Sequence, residues 1–216
     1  MHRRLILATA VLAGATALSH APWAQTAPPA PAAQTAPAAP PTRVRGTIAA
    51  LDGNTLTVNS RDGQKVEITL TEPLTVLTVK KVELSTIAAG SYIGTATRTG
   101  ADGKLTALEV LVFPEAMRGA GEGHYGWDLE PGSMMTNGTV KGAVTAAAGR
   151  ELSIGFKDSA NTVYVPPGVP VVTFAPAERA DLKPGAPLFV NATKTPEGKL
   201  TAGRVIVGKD GVAPPM

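Results

Sequence analysis

The chain contains no cysteine. No disulfide can therefore staple the fold, and no thiolate can act as a nucleophile or as a metal ligand. The same absence excludes anchoring through a lipid attached to a cysteine. Whatever structure the protein adopts must be held together by its hydrophobic core alone.

Histidine and aromatic side chains are also scarce, with three histidines and an aromatic content of 4% in 216 residues. Beyond the amino-terminal segment, His124 and Trp127 are the sole residues of their types. One histidine excludes a histidine-clustered zinc site, and a Ser-His-Asp triad would have to use it. The run Gly119, Gly121, Gly123 is not a dinucleotide fingerprint, because no helical pattern follows it. We predict that the protein is not an enzyme, with an enzyme of unrecognised type as a further alternative.

No long apolar run is present either. The longest, Leu5–Leu18, is interrupted and shorter than the roughly 20 residues that a spanning helix needs. It follows Arg3 and Arg4 and precedes small residues, the pattern of a secretory signal peptide. We predict a signal peptide at 1–24, cleaved after Ala24, a periplasmic or secreted protein, and no transmembrane segment after cleavage.

Charge narrows the class of partner. Loss of Arg3 and Arg4 with the signal lowers the formal charge from +3 to +1. A nearly neutral chain lacks the basic face that nucleic-acid binding requires, so no nucleic-acid partner is expected. The expected partner is therefore an envelope protein or a small ligand.

The segment 25–42 is almost entirely alanine and proline. Proline fixes φ and removes backbone donors, so this composition predicts an extended, semi-rigid linker.

The remaining chain contains two copies of one module. Val44-Arg45-Gly46 matches Val140-Lys141-Gly142 at an offset of 96, and Gly103–Ala107 matches Gly198–Ala202 with five identities at an offset of 95. This predicts modules at 43–113 and 138–208, a connector at 114–137 and a tail at 209–216.

Each copy has mostly two-residue periodicity, with apolar residues alternating with polar ones between glycine-containing turns, which indicates strands and hairpins. In the last strand of the first copy, Leu108, Val110 and Val112 form the expected buried face, and Glu109 the solvated one. A helical turn is predicted at Val82–Ala89, and a short extended piece at Thr75–Val79. The predicted fold class is all-β: two tandem small OB-like Greek-key barrels, each with one short helical turn.

The stretches GTIAALDGNTLTVNSRDGQKVEITL, LSTIAAGSYIGTATR and DGKLTALEVLV carry a family resemblance. They resemble the barrel modules of exported bacterial proteins grouped as a domain of unknown function with an OB-like fold. Relatives with a similar connector and a tail like GKDGVAPPM sometimes bear the label of metal transporter permease. The resemblance implies a fold but no established activity and no catalytic residues.

The connector is the part of the modular region that was not duplicated. Its aromatic residues Tyr125 and Trp127 would share one face of an extended segment and serve as anchors, and Arg118 is its one basic residue. We predict a non-catalytic binding or scaffold protein that makes contacts through Tyr125, Trp127 and Arg118 in the connector and through the groove between the barrels. No cofactor is expected.

The alternative is a copper-binding accessory protein. Imidazole and thioether groups suit copper, particularly Cu(I), and the connector holds His124, Met117, Met134 and Met135. Their spacing is not compact, and adjacent Met134 and Met135 would point to opposite faces of a strand. The methionines would otherwise fill gaps between the barrels.

Overall fold

A computed structural model describes residues 41–142 and 150–214. The predicted signal peptide and nearly all of the predicted linker lie outside these residues. The described chain is all-β, as expected, with short 3₁₀ turns at Leu84–Thr86, Glu115–Met117 and Arg179–Asp181. Its strands are β1 (Thr42–Asp52), β2 (Thr55–Ser60), β3 (Lys65–Lys81), β4 (Tyr92–Thr99), β5 (Leu105–Ala107), β6 (Val110–Val112), β7 (Gly123–Gly126), β8 (Met134–Val140), β9 (Glu151–Phe156), β10 (Ser159–Tyr164), β11 (Val171–Pro176), β12 (Pro187–Lys194) and β13 (Leu200–Val207).

Five strands close into a first ring. β1, β2 and β3 pair antiparallel in sequence order, β12 adds to β1, and β13 joins β12 to β3 by a parallel pairing. The apolar faces of these strands fill the ring with side chains that include Val44, Leu56, Ile68, Val190 and Val205. Closure leaves this ring without an open edge between its strands.

A second ring repeats the pattern. β8 pairs with β9 and β9 with β10, β4 adds to β8, and β5 joins β4 to β10 by a parallel pairing. Its interior contains Ile93, Val110, Leu152, Ile154 and Val163, all fully buried. Burying a side chain of this size contributes about 1.5–3 kcal/mol.

The pairing differs from the predicted division into contiguous modules at 43–113 and 138–208. Each ring takes three strands from one copy and two from the other, so the copies exchange their last two strands. The extended piece predicted at Thr75–Val79 is the reason. It continues β3 without a break to Lys81, and it carries the chain out of the first ring toward the second.

The two copies are related by a pseudo-two-fold axis. β3 pairs antiparallel with β11, and the register matches Val79 with Phe174, Leu77 with Pro176 and Lys81 with Val172. Val79 and Phe174 are equivalent at the offset of 95, so each lies opposite its own repeat partner. The axis therefore passes through this pair of strands.

A third apolar cluster lies beside the axis. Its buried members come from five different strands and from both copies: Val79, Leu111, Val172, Phe174, Phe189 and Ile206. Met117 and Trp127 of the connector pack against it. The described residues thus fall within one compact unit, held by contacts that cross between the copies.

One local prediction, the helical turn of the first copy, is confirmed. The helical turn lies at Leu84–Thr86 and is followed by Gly90 at φ 88°, a conformation that glycine favours. The connector, by contrast, contains more structure than expected: β7 and much of β8 form a hairpin there, with Tyr125 opposite Met135.

Strand exchange predicts that neither half folds alone. A fragment 41–113 lacks β12 and β13, which cover β1 and β3, and so leaves both strands with unpaired edges. We expect fragments 41–113 and 114–214 each to lack a cooperative monomeric unfolding transition, and their mixture to regain one. Circular dichroism with size-exclusion chromatography measures this. A fragment 41–113 that unfolds cooperatively as a monomer would contradict the exchange.

Candidate functional site

A cavity of about 370 Å³ opens beside the third apolar cluster. Both copies and the connector line it, and much of its wall is aromatic. The rings are Phe113, Tyr125, Trp127, Phe174 and Phe189. The cavity therefore lies where the connector passes over the junction of the two copies.

The cavity also lies across the pseudo-two-fold axis, because residues equivalent in the two copies line it together. These pairs are Gly94 with Phe189, Glu109 with Arg204, and Leu111 with Ile206. In the first two pairs, the chemistry of the partners differs. A position that is carboxylate in one copy is guanidinium in the other, so the cavity is chemically asymmetric.

Glu109 is the most unusual residue of the wall. It is 1% exposed, and neither carboxyl oxygen has a hydrogen-bond partner. Burial raises the pKa of this carboxyl from its ordinary 4.5 to about 8, and the positive charge of Arg45 opposes the rise. At neutral pH the side chain is therefore a neutral acid, able to donate one hydrogen bond and to accept others.

The sequence prediction placed Glu109 on a solvated face, and this prediction is wrong because the side chain is buried. β5 ends at Ala107 and β6 begins at Val110, so the alternation breaks at Glu109. Beyond the break both faces are buried: Val110 enters the second ring, and Leu111 enters the third cluster. The nearly continuous apolar run around Glu109 was the available signal, because such runs indicate strands covered on both sides.

Asn137 is a second polar residue of the wall and is buried. Its Nδ2 donates to the carbonyl oxygens of Ala120 and Gly121, at 3.3 and 3.0 Å, and to the hydroxyl of Tyr125 at 3.0 Å. Its Oδ1 has no hydrogen-bond partner, and neither does Nε1 of Trp127. Because buried polar atoms are normally paired, the residues of the wall include an unpaired buried acceptor and an unpaired buried donor in addition to the Glu109 acid.

Arginines from the first ring hold the connector in place over the cavity. Arg43 lies 4.0 Å from the centre of the Trp127 ring, and Arg45 forms a 2.9 Å ion pair with Asp128. Arg61 donates two hydrogen bonds of 2.8 Å to backbone carbonyls of the same segment. Cation-π contacts and charge-assisted hydrogen bonds thus fix the tip of the connector.

Two of the three predicted binding residues line the cavity. Tyr125 and Trp127 lie on one face, with ring centroids 6.2 Å apart and an edge-on geometry. Arg118 lies elsewhere. It pairs with Glu115 at 2.5 Å and donates to the carbonyl of Gly90 at 2.9 Å, which ties the connector to the turn before β4.

The four predicted copper ligands fall on two sides of the β7–β8 hairpin. Met117 and Met135 line the cavity. His124 lies on the other face, where its Nδ1 is 2.8 Å from Oγ1 of Thr136, on the same side as Met134 by strand alternation. No cluster of three or more His, Asp or Glu side chains suited to a metal ion occurs in the described residues. The structure therefore does not bring His124 together with Met117 and Met135.

Among residues 41–142 and 150–214, no helix is long and apolar enough to cross a membrane. Comparisons of the chain with protein-family models, with curated proteins and with solved structures give no match.

The buried acid predicts a pH-dependent stability. Between pH 4.5 and 8 the folded protein keeps a proton on Glu109 that the unfolded chain has released, so the free energy of unfolding falls as the pH rises. The loss amounts to roughly 3–5 kcal/mol. Glu109→Gln removes this slope and makes the variant more stable than the parent at pH 9. Urea unfolding at pH 4, 6, 8 and 9 measures the effect.

Glu67→Gln is the matched control, because Glu67 is exposed on β3. This variant keeps the slope of the parent. Equal slopes for the parent and for Glu109→Gln would show that Glu109 ionises normally in the folded protein.

The attachment of the connector gives a second prediction. Asp128→Asn weakens the ion pairs to Arg43 and Arg45, and we expect amide exchange across Gly123–Trp127 to accelerate about five- to tenfold, which corresponds to roughly 1 kcal/mol. Hydrogen exchange followed by mass spectrometry measures the effect. Asp52→Asn, at the exposed end of β1, leaves exchange unchanged; an equal effect of both variants would refute the role of the ion pairs.

Proposed function

We propose that this chain is a non-catalytic, exported binding protein that holds a small organic ligand in the cavity beneath the connector. The observation that carries the proposal is the Glu109 carboxyl, buried in the cavity wall with both oxygens unpaired. A buried polar group without a partner costs free energy. A ligand that pairs with it recovers that cost on binding.

The size and chemistry of the cavity support this function. Sites for small molecules are concave, mostly apolar, and about 300–1,000 Å³ in volume, with a few polar groups that orient the ligand. This cavity has about 370 Å³, five aromatic rings, and the unpaired atoms of Glu109, Asn137 and Trp127. The proposal retains the connector as the contact surface and locates the contact in the cavity.

Copper handling remains the alternative that the residue types alone suggest. The separation of His124 from Met135 across the hairpin gives it no geometric support. Met117 and Met135 instead contribute apolar surface to the cavity, a role that suits the flexible side chain of methionine.

A blocking variant tests the proposal. Asn191 is exposed at the mouth of the cavity, so Asn191→Trp fills the mouth without overpacking the core. We expect small aromatic compounds, screened as mixtures by two-dimensional NMR of the labelled protein, to shift the resonances of cavity residues in the parent, and to leave those of the variant unshifted.

Thr193→Trp is the matched control, because Thr193 is exposed on the same strand and lines no part of this cavity. It should bind the same compounds as the parent. Compounds that shift the spectra of the parent and of Asn191→Trp alike bind outside the cavity, and that result would reject the proposed site.

A further inference from the structure

The charges around the cavity are unevenly distributed. Arg43, Arg204 and Glu109 line it, and the positive charge of Arg45 acts on Glu109. Asp128 forms ion pairs with both Arg43 and Arg45, at 3.7 and 2.9 Å. With Glu109 neutral at pH 7, the cavity therefore carries an excess of positive charge.

Arg204 is the positive group best placed to meet a ligand. It is exposed on β13 and lines both the cavity and the adjoining depression beside Thr75. Within the part of the chain that the structure describes, its guanidinium has no ion-pair partner. As the repeat equivalent of Glu109, it lies on the opposite side of the pseudo-two-fold axis from the buried acid.

We propose that the ligand is an organic anion with an apolar, aromatic-sized body. Its anionic group pairs with Arg204 at the mouth, its body lies among Phe113, Phe174 and Phe189, and a polar atom at its inner end pairs with Glu109. This inference rests on the proposed function, because it names the class of ligand for that same cavity.

The aromatic faces argue against a cationic ligand. Recognition of an ammonium group uses the open faces of aromatic rings. Here Arg43 already lies 4.0 Å above Trp127, and Arg45 lies 4.7 Å from the centre of the Phe189 ring. Two guanidinium groups therefore occupy those faces, and they would repel a second cation.

Proton binding at Glu109 gives the site a pH dependence. Burial raises the pKa of Glu109 to about 8, and above that value its carboxylate repels an anionic ligand. The other charged groups that line the cavity are the guanidinium groups of Arg43 and Arg204, and guanidinium groups are not deprotonated in proteins. Burial raises the pKa of the Tyr125 hydroxyl, which also lines the cavity. Affinity for the anion is therefore constant from pH 6 to 7 and falls above pH 8.

The test uses three probes with the same 6-hydroxy-2-naphthyl body, whose hydroxyl supplies the inner polar atom, and with different charge: the acetate, the acetamide and the ethylamine. Isothermal titration calorimetry with the purified protein at pH 7 measures the dissociation constant of each probe. We expect the carboxylate to bind about tenfold more tightly than the amine, because it gains a charge-assisted pair with Arg204. Amine binding equal to or tighter than carboxylate binding overturns the inference but leaves the binding function intact.

Arg204→Gln separates the anion contact from general binding. It should weaken the carboxylate about tenfold and change the affinity for the amide little. Arg98→Gln, on the exposed end of β4, is the matched control and should change neither. A carboxylate affinity that is insensitive to Arg204→Gln overturns the placement of the anion, and failure of all three probes to bind rejects the proposed function together with the inference.

The pH profile is an independent readout. In the parent, carboxylate affinity should fall between pH 7 and 9 while amide affinity changes less. In Glu109→Gln, carboxylate affinity should stay constant over the same interval. A fall of equal size in both proteins would exclude Glu109 as the titrating group.

Discussion

The antiparallel pairing of β3 with β11 is the contact on which the rest of the structure depends. It joins one strand from each copy and places Val79 opposite its repeat equivalent Phe174. β3 also closes the first ring through its pairing with β13, and β11 pairs with β6 beside the second ring. The third apolar cluster lies along this junction, so the pairing fixes the relation of the rings and creates the surface under the cavity.

A duplicated chain would by itself produce a symmetric junction. Two features remove the symmetry here. Equivalent positions in the cavity wall have diverged, from Glu109 to Arg204 and from Gly94 to Phe189, and the connector, which has no equivalent in the repeat, also lines the cavity. The arginines Arg43, Arg45 and Arg61 attach that connector by ring contacts, ion pairs and backbone hydrogen bonds. The result is a chemically asymmetric cavity, where the repeat alone would give two equal half-sites.

Glu109 shows how much of the site can be predicted from local sequence patterns and how much cannot. The two-residue period predicts its strand but places it in solvent, because the period is interrupted between β5 and β6 and both faces are then covered by the other copy. Tyr125 and Trp127 were predicted to share a face, since that depends on alternation within one strand, and they do. The aromatic partners Phe174 and Phe189 come from more than 45 residues away along the chain, and no local pattern indicates that they would meet the connector.

The sequence alone determined the all-β class, the helical turn before Gly90 and the extended face of the connector, because alternation and turn chemistry are properties of neighbouring residues. Its repeat spacing predicts a duplication. Only the tertiary structure decided whether each strand pairs with strands of its own copy or with strands of the other copy. Equivalent strands present equivalent edges and apolar faces, so a ring closed within one copy and a ring closed between copies use the same types of contact. The uninterrupted course of β3 through Lys81 carries the chain from one ring to the other. The exchange that results also leads to the burial of Glu109 and to the cavity itself.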